Sequence, residues 1–96
     1  MSEHESNHEA WFVYIAECVD HSYYVGIAHD LQRRIEEHNA KAGAKYTRKL
    51  SPVKLVWSEA HADVVSARTR EVQLKKWTRR KKAALIAGNL ALLKSL

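Results

Sequence analysis

The sequence predicts an α/β (α+β) domain: a small three-stranded antiparallel sheet flanked by helices, in the order ββαβαα. Three observations carry this. Two short apolar runs, WFVYIAEC (11–18) and YYVGI (23–27), stand on either side of a short polar turn. A helix-length segment follows, with Asp30 at its start and Gly43 at its end. A third run, VKLVWSE (53–59), alternates in hydrophobicity and leads into two helical stretches.

Each element has its own local reason. Residues 1–10, MSEHESNHEA, are polar and acidic and read as a disordered tail; they lack the basic start and apolar run of a signal peptide. Residues 11–96 then form one domain. The run at 11–18 is rich in aromatic and β-branched residues and too short for a buried helix, so it reads as a buried strand. VDHS (19–22) is a turn in which Asp20 and Ser22 can bond their own backbone, which makes 11–27 a hairpin. Asp30 is a good N-cap and Gly43 a good C′ residue for a helix running to about Ala42. GAKYTRKLSP (43–52) is a basic loop. The third strand sets Val53, Leu55 and Trp57 against Lys54, Val56 and Ser58. Helices follow from about Asp63 to Trp77 and from about Thr78 to Ala87, with a last amphipathic piece, NLALLKSL, after Gly88.

Composition excludes several classes. A hydrophobic share of 46% with 28% charged residues is too apolar for a disordered chain. No apolar run reaches the roughly 20 residues needed to span a bilayer. The single cysteine, Cys18, permits no internal disulfide; it reads as a small core residue in a protein of the reducing cytoplasm. No Cys/His cluster has zinc-ligand spacing; His21 and His29 read as surface turn and loop residues, and His4, His8 and His61 show no ligand spacing.

Charge is unevenly spread. Three of the 11 acids, Glu3, Glu5 and Glu9, lie in the tail, so the body from Trp11 onward carries 16 basic against 8 acidic side chains. Eight of those basic residues fall between Arg68 and Lys82, beside one acid, Glu71. A polyanion partner, most simply nucleic acid, accounts for this. On charge alone, a solvated helix surface accounts for it equally well.

Some polar residues sit where packing does not call for them. On the first helix Leu31 and Ile35 define an inward stripe, with Arg34 and His38 on its margin, one turn apart. On the long helix Val64, Ala67, Leu74 and Trp77 form the stripe, with Glu71 in its middle and Lys75 at its edge. An inward carboxylate needs a cation or a metal; a salt bridge to Arg34 is the structural reading, and such bridges add little net stability. Tyr14 and Tyr24 lie on paired strands, where a tyrosine is ordinarily a packing residue with a wet tip. Gly26 within a strand implies a bend or close approach and would open space beside Tyr24.

Together these residues resemble the GIY-YIG nuclease superfamily. FVY (12–14) stands where the superfamily has G-I-Y, and YVG (24–26) where it has Y-I-G. YVGIAHDLQRRIEEH (24–38) is similar to its Y-[IV]-G-x-[AT]-x-[DN]-L-x-x-R-x-x-x-H stretch, and Glu71 falls at its metal-binding glutamate. GAKYTR (43–48), PVKLV (52–56) and REVQLKKW (70–77) resemble segments of its small single-domain bacterial members. Two departures stand out. Phe12 replaces the first glycine, and the late polar residue of the family site has no secure counterpart; Asn89 stands in the right region but also suits a helix cap.

The resemblance implies an endonuclease that hydrolyses DNA phosphodiester bonds and leaves 5′-phosphate and 3′-hydroxyl ends. Glu71 would hold one divalent ion, Mg²⁺ or Mn²⁺, and Arg34 would clamp the phosphate. Tyr14 would be the general base, activated by positive charge from Arg34, the ion and His38, which would hold or relay its proton. Tyr24 would contact phosphate or water, and Lys75 would add charge. Lys45, Tyr46, Arg48 and Lys49 of the basic loop, with Lys75, Lys76 and Arg79, would form the nucleic-acid track. Tyr46 and Trp77 could stack unpaired bases, although Trp77 lies near the apolar stripe. Few groups are placed to read bases, so single-stranded or irregular DNA is the expected substrate, with RNA still open. A monomer or weak dimer, without membrane partners, is expected; roles in DNA repair, DNA uptake or restriction of incoming DNA all fit. The alternatives are a non-cleaving nucleic-acid-binding module of the same fold and a protein-binding adaptor.

Overall fold

The first apolar run forms strand β1 (Trp11–Glu17), and four consecutive residues, Val13 to Ala16, are buried. A strand buried on both faces must lie inside its sheet, and β1 does: it pairs antiparallel with β2 (Tyr23–Ala28) on one side and β3 (Lys54–His61) on the other. The computed structural model describes residues 10–40 and 52–96. Residues 1–9 of the leading tail, Gly43, and Lys45, Tyr46, Arg48 and Lys49 of the basic loop lie outside the described residues.

The hairpin turn is held by Asp20, whose carboxylate accepts from the Ser22 amide (2.9 Å) and the Ser22 hydroxyl (2.6 Å). His21 at its tip takes φ 70°, the left-handed region. In the hairpin register Tyr14 faces Gly26 and Ala16 faces Tyr24. Against β3 the register shifts between Ile15, opposite Trp57, and Ala16, opposite Leu55. The extra residue breaks the strict alternation expected along β3. Val56 and Trp57, adjacent in sequence, both pack against the cluster containing Val13 and Ile15.

Helices cover both faces of the sheet. Asp30 caps α1 (Leu31–Ala40), accepting from the Arg33 amide at 3.1 Å. Leu31 and Ile35, the expected stripe, pack on Tyr14, Ala16, Cys18, Ala28 and Val53. Asn39, near the end of α1, makes two bonds to the backbone of Val53, accepting at 2.7 Å and donating at 3.2 Å. These bonds fix α1 to the start of β3.

On the other face α2 (Val64–Lys75) begins at Asp63, which accepts from the Ser66 amide. Ala67 and Leu74 are fully buried against Val13, Ile15 and Val25. Val64, expected in the same stripe, is 38% exposed, because it is the first residue of the helix and stands at the end of the layer. The junction with β3 is tied by polar groups. His61 Nδ1 lies 2.6 Å from Ser66 Oγ, and its Nε2 lies 2.8 Å from Glu59. Arg70 donates to Glu59 at 3.2 Å and lies over the rings of Trp57 and Trp77.

Thr78 caps α3 (Arg79–Ala87), which ends at Gly88 with φ 71°, the left-handed cap that glycine adopts without strain. The last amphipathic piece is a fourth helix, α4 (Leu90–Ser95), and Asn89 is its N-cap, bonded to the Leu92 amide. The observed order is therefore ββαβααα. Among the described residues no helix is long and apolar enough to cross a membrane.

Candidate active site

Antiparallel pairing places opposed residues on one face of the sheet. Phe12, Tyr14 and Ala16 thus share a face with Ala28, Gly26 and Tyr24. This is the face that α1 covers with Leu31 and Ile35. His38, one turn beyond Ile35, is carried back toward the same strands.

Three rings meet there. The Tyr14 hydroxyl lies 3.3 Å from His38 Nε2, and which of the two donates depends on the tautomer of the imidazole. The Tyr14 and Tyr24 rings are 6.2 Å apart, and Tyr24 meets His38 edge-on at 4.9 Å. Tyr14 is only 1% exposed, whereas Tyr24 is 43% exposed and open to a substrate. The space at Gly26 belongs to Tyr14, not to Tyr24 as the sequence suggested. A Cβ at position 26 would lie 2.7 Å from the Tyr14 hydroxyl, because the hairpin register sets these two residues opposite each other.

Arg34 and His38, which the sequence named with a bound ion as the charge that would activate Tyr14, do not by themselves acidify it. Burial pushes its phenol well above the ordinary value of 10, and the neighbouring Tyr24 and the Glu71 carboxylate push the same way. Arg34 pulls it down, as anticipated, but is outweighed. The same couplings show that Tyr24, Arg34 and Glu71 all lie within electrostatic reach of Tyr14.

Arg34 stands at the edge of this group with a half-exposed side chain and one loose ion pair, 3.9 Å to Glu37. It does not pair with Glu71. Glu71 is buried, as its place in the apolar stripe implied, but its carboxylate is held by residues of its own helix. Arg68 Nη1 lies 3.1 Å from one oxygen and Lys75 Nζ 3.1 Å from the other. Spacings of three and four residues put both cations beside it on the helix surface.

Residues 10–84 match the GIY-YIG catalytic domain. The chain belongs to the GIY-YIG family. It is 49% identical over 74 residues to a UPF0213 protein of Haloquadratum walsbyi, covering 77% of this chain and 83% of that one. It is 45% identical over 78 residues to a UPF0213 protein of Staphylococcus aureus, covering 81% and 95%. The solution structure of the UPF0213 protein from Bacillus halodurans superposes with a TM-score of 0.53 at 41% identity, over 81% of this chain and 83% of that one. The solution structure of an E. faecalis protein gives 0.56 at 33% identity, over 84% and 88%. The expected three-stranded antiparallel fold and the GIY-YIG resemblance are both borne out.

A divalent ion at this GIY-YIG site would have one protein carboxylate. Among the described residues no group of three or more His, Cys, Asp or Glu is placed to hold a metal. Glu71 alone fits an ion that takes its other ligands from water and phosphate oxygens, as Mg²⁺ does. Its two cationic partners have side chains 61% and 55% exposed, long enough to swing aside.

The basic residues of the GIY-YIG domain divide. Lys75 pairs with Glu71, and Lys76 is exposed at the end of α2. Arg79 docks α3 on the hairpin turn: its Nε and Nη2 donate to the His21 carbonyl at 3.3 and 2.8 Å, and its guanidinium lies over Tyr23. Trp77 carries Arg70 at 5.4 Å and Lys81 at 4.4 Å against its ring. Sequence reasoning passed over Arg68, although its spacing from Glu71 was visible. It also passed over Asn39, whose bonds to Val53 cross the chain and leave no periodic signal.

Proposed function

We propose that this protein is a divalent-metal-dependent endonuclease that hydrolyses DNA phosphodiester bonds. The observation that supports it most is the meeting of Tyr14, Tyr24 and His38 within electrostatic reach of Arg34 and Glu71. Packing needs a buried ring at Tyr14, but it does not need an imidazole at its hydroxyl or a carboxylate in the stripe of α2.

In the proposed reaction a water oxygen bonds to phosphorus as the bond to the 3′ oxygen breaks. The 3′ oxygen leaves with the bonding pair and takes a proton from solvent water, so the ends are a 5′-phosphate and a 3′-hydroxyl. Tyr14 Oη takes the proton from the water while its own proton passes to His38 Nε2. This relay suits a phenol held protonated by burial, because no free phenolate has to form first. The Arg34 guanidinium grips the non-bridging oxygens with its planar fork, and exposed Tyr24 bonds the phosphate or the water. Glu71 would hold Mg²⁺ or Mn²⁺, which supplies charge neutralisation at the phosphate. Lys75, paired with Glu71 here, would be available to the phosphate group if that pair opened. Lys76 and the basic residues of 43–49 would follow the strand backbone without reading sequence.

A second reading, a binding module that does not cut, draws on the ion pairs of Glu71, which satisfy both of its oxygens without any metal. A cleavage assay separates the two. Labelled single-stranded, duplex and branched DNA and single-stranded RNA are incubated with and without Mg²⁺ or Mn²⁺. Metal-dependent cutting that is lost in Glu71→Ala and Tyr14→Phe supports the endonuclease. Salt-sensitive binding with no cutting supports the module.

A further inference from the structure

Phe12 is the residue that departs from the glycine of the family motif, and the proposed chemistry gives it nothing to do. It lies two residues before Tyr14 on the same sheet face, opposite Ala28. Its side chain is only partly buried and lines an open cleft of about 640 Å³. Leu31 is the cleft's other apolar wall, and His29 and Arg33 are also in its lining. A smaller hollow of about 230 Å³ shares His29, Asp30 and Arg33 with it and continues to Arg34. The two hollows thus border the same three residues, and the second reaches Arg34, the residue that would grip the scissile phosphate.

We infer that this cleft holds an unpaired nucleobase of the nucleotide next to the cut phosphate, stacked on Phe12 with Arg33 over its backbone. The inference rests on the endonuclease reading and adds the substrate class: a strand with at least one unstacked base at the cut. Four observations favour a base over another occupant. The cleft's volume falls within the range of small-ligand sites, roughly 300–1,000 Å³. Its lining joins the aromatic Phe12 and the apolar Ala10 and Leu31 to the cationic Arg33. The acids around it are already engaged: Asp30 caps α1, and Glu37 pairs with Arg33 at 3.3 Å and with Arg34 at 3.9 Å. Those exposed pairs are weak enough to exchange for phosphate. Finally, Trp57 and Trp77 have Arg70 or Lys81 against their rings, so they are poorly placed to stack bases. His29 is held in place by its contact with the Trp11 ring at 3.7 Å and with the Ala10 carbonyl at 3.2 Å. The cleft thus has one firm side. A base inside a duplex cannot enter it without being unstacked, which costs energy.

The test is an abasic scan on the full-length protein. The cut position in a single-stranded oligodeoxynucleotide is mapped with Mg²⁺. A set of the same oligonucleotides, each with one abasic site, is then titrated in EDTA. An abasic site at one nucleotide flanking the cut weakens binding about tenfold, while other positions change little. Phe12→Leu, which keeps an apolar side chain but cannot stack, binds the intact strand about as weakly as wild type binds that abasic strand. It no longer senses the missing base. Its thermal midpoint is measured alongside to establish that it is folded. A flat abasic profile in a protein that binds and cuts DNA overturns the base site and leaves the endonuclease standing. Failure to bind any nucleic acid overturns both.

Discussion

A Cβ on Gly26 would lie 2.7 Å from the hydroxyl of Tyr14 and 2.9 Å from the ring carbon that carries it. The glycine is a socket for the tyrosine across the hairpin. Tyr14 is buried and its hydroxyl is tied to His38, so the ring has little freedom to retreat. Gly26→Ala should cost about 1–3 kcal/mol in chemical denaturation, the usual range for overpacking. Cleavage should fall more steeply than stability, at least tenfold at a temperature where the variant is folded. Full activity in a stable Gly26→Ala protein would show that the Tyr14 position does not matter to the chemistry.

Glu71→Gln separates a functional carboxylate from a structural one. Its partners Arg68 and Lys75 are largely exposed, so the substitution strands no buried cation. We expect stability to change by no more than about 1 kcal/mol and metal-dependent cutting to disappear. Loss of several kcal/mol with cutting retained would favour the salt-bridge role.

Lys75 Nζ lies 3.1 Å from one oxygen of Glu71, so a divalent ion held there, as proposed, would have to compete with it. Lys75→Gln should therefore bind Mn²⁺ several-fold more tightly than wild type in the absence of DNA, as read by calorimetry or by the electron paramagnetic resonance of free Mn²⁺. Cutting should decline if the released ammonium serves the phosphate. Unchanged or weaker Mn²⁺ affinity argues against competition at that carboxylate.

Tyr14 should be the last tyrosine to ionise. Its folded pKa is raised by burial first, then by Tyr24 and Glu71. A raised pKa means that the fold favours the protonated phenol. That contribution to stability is fully present below the unfolded value of ~10 and is lost as pH rises past it. Ultraviolet titration should show one phenol ionising above the others or only on unfolding, and Tyr14→Phe should remove that step. Ionisation of Tyr14 together with the exposed tyrosines would contradict the buried, protonated relay.

Arg70 joins two tryptophans, Glu59 and Gln73, at the junction of β3 and α2. Arg70→Ala should lower stability by about 1–2 kcal/mol through lost cation–π and charged hydrogen bonds. Its effect on cutting should be small once the protein is folded. A thermal melt and a low-temperature cleavage rate measure the two separately.

The fold was legible where one physical signal dominated. The unbroken apolar run of β1 marked a central strand, Asp30 and Asp63 marked helix starts, and the Leu31/Ile35 stripe marked the buried side of α1. Features set by pairing register were not legible. Gly26 was assigned to Tyr24 because the two are close in sequence, whereas the ladder puts it opposite Tyr14. The shift beside Ile15 hid the joint burial of Val56 and Trp57. At the site, the inward aim of Glu71 and the place of His38 on the margin of the α1 stripe followed from spacing, whereas the link between His38 and Tyr14 came from the family resemblance. The partner of Glu71 did not follow from spacing, because Arg34 and Arg68 carry the same charge and only three-dimensional distance chooses between them. The weight of burial at Tyr14 was missed for a related reason: sequence lists the nearby charges but not the depth at which the phenol sits.

The strand order has a consequence for synthesis. The central strand is made first and gains its second edge partner only when β3 has followed α1. Glu71 comes later still, on α2. A nascent chain therefore carries Tyr14 long before it carries the carboxylate, and a fragment ending before α2 holds Tyr14, Tyr24, Arg34 and His38 of the proposed site but not Glu71. On the proposed reading, a chain in which α2 has not yet docked would lack the carboxylate that cutting requires.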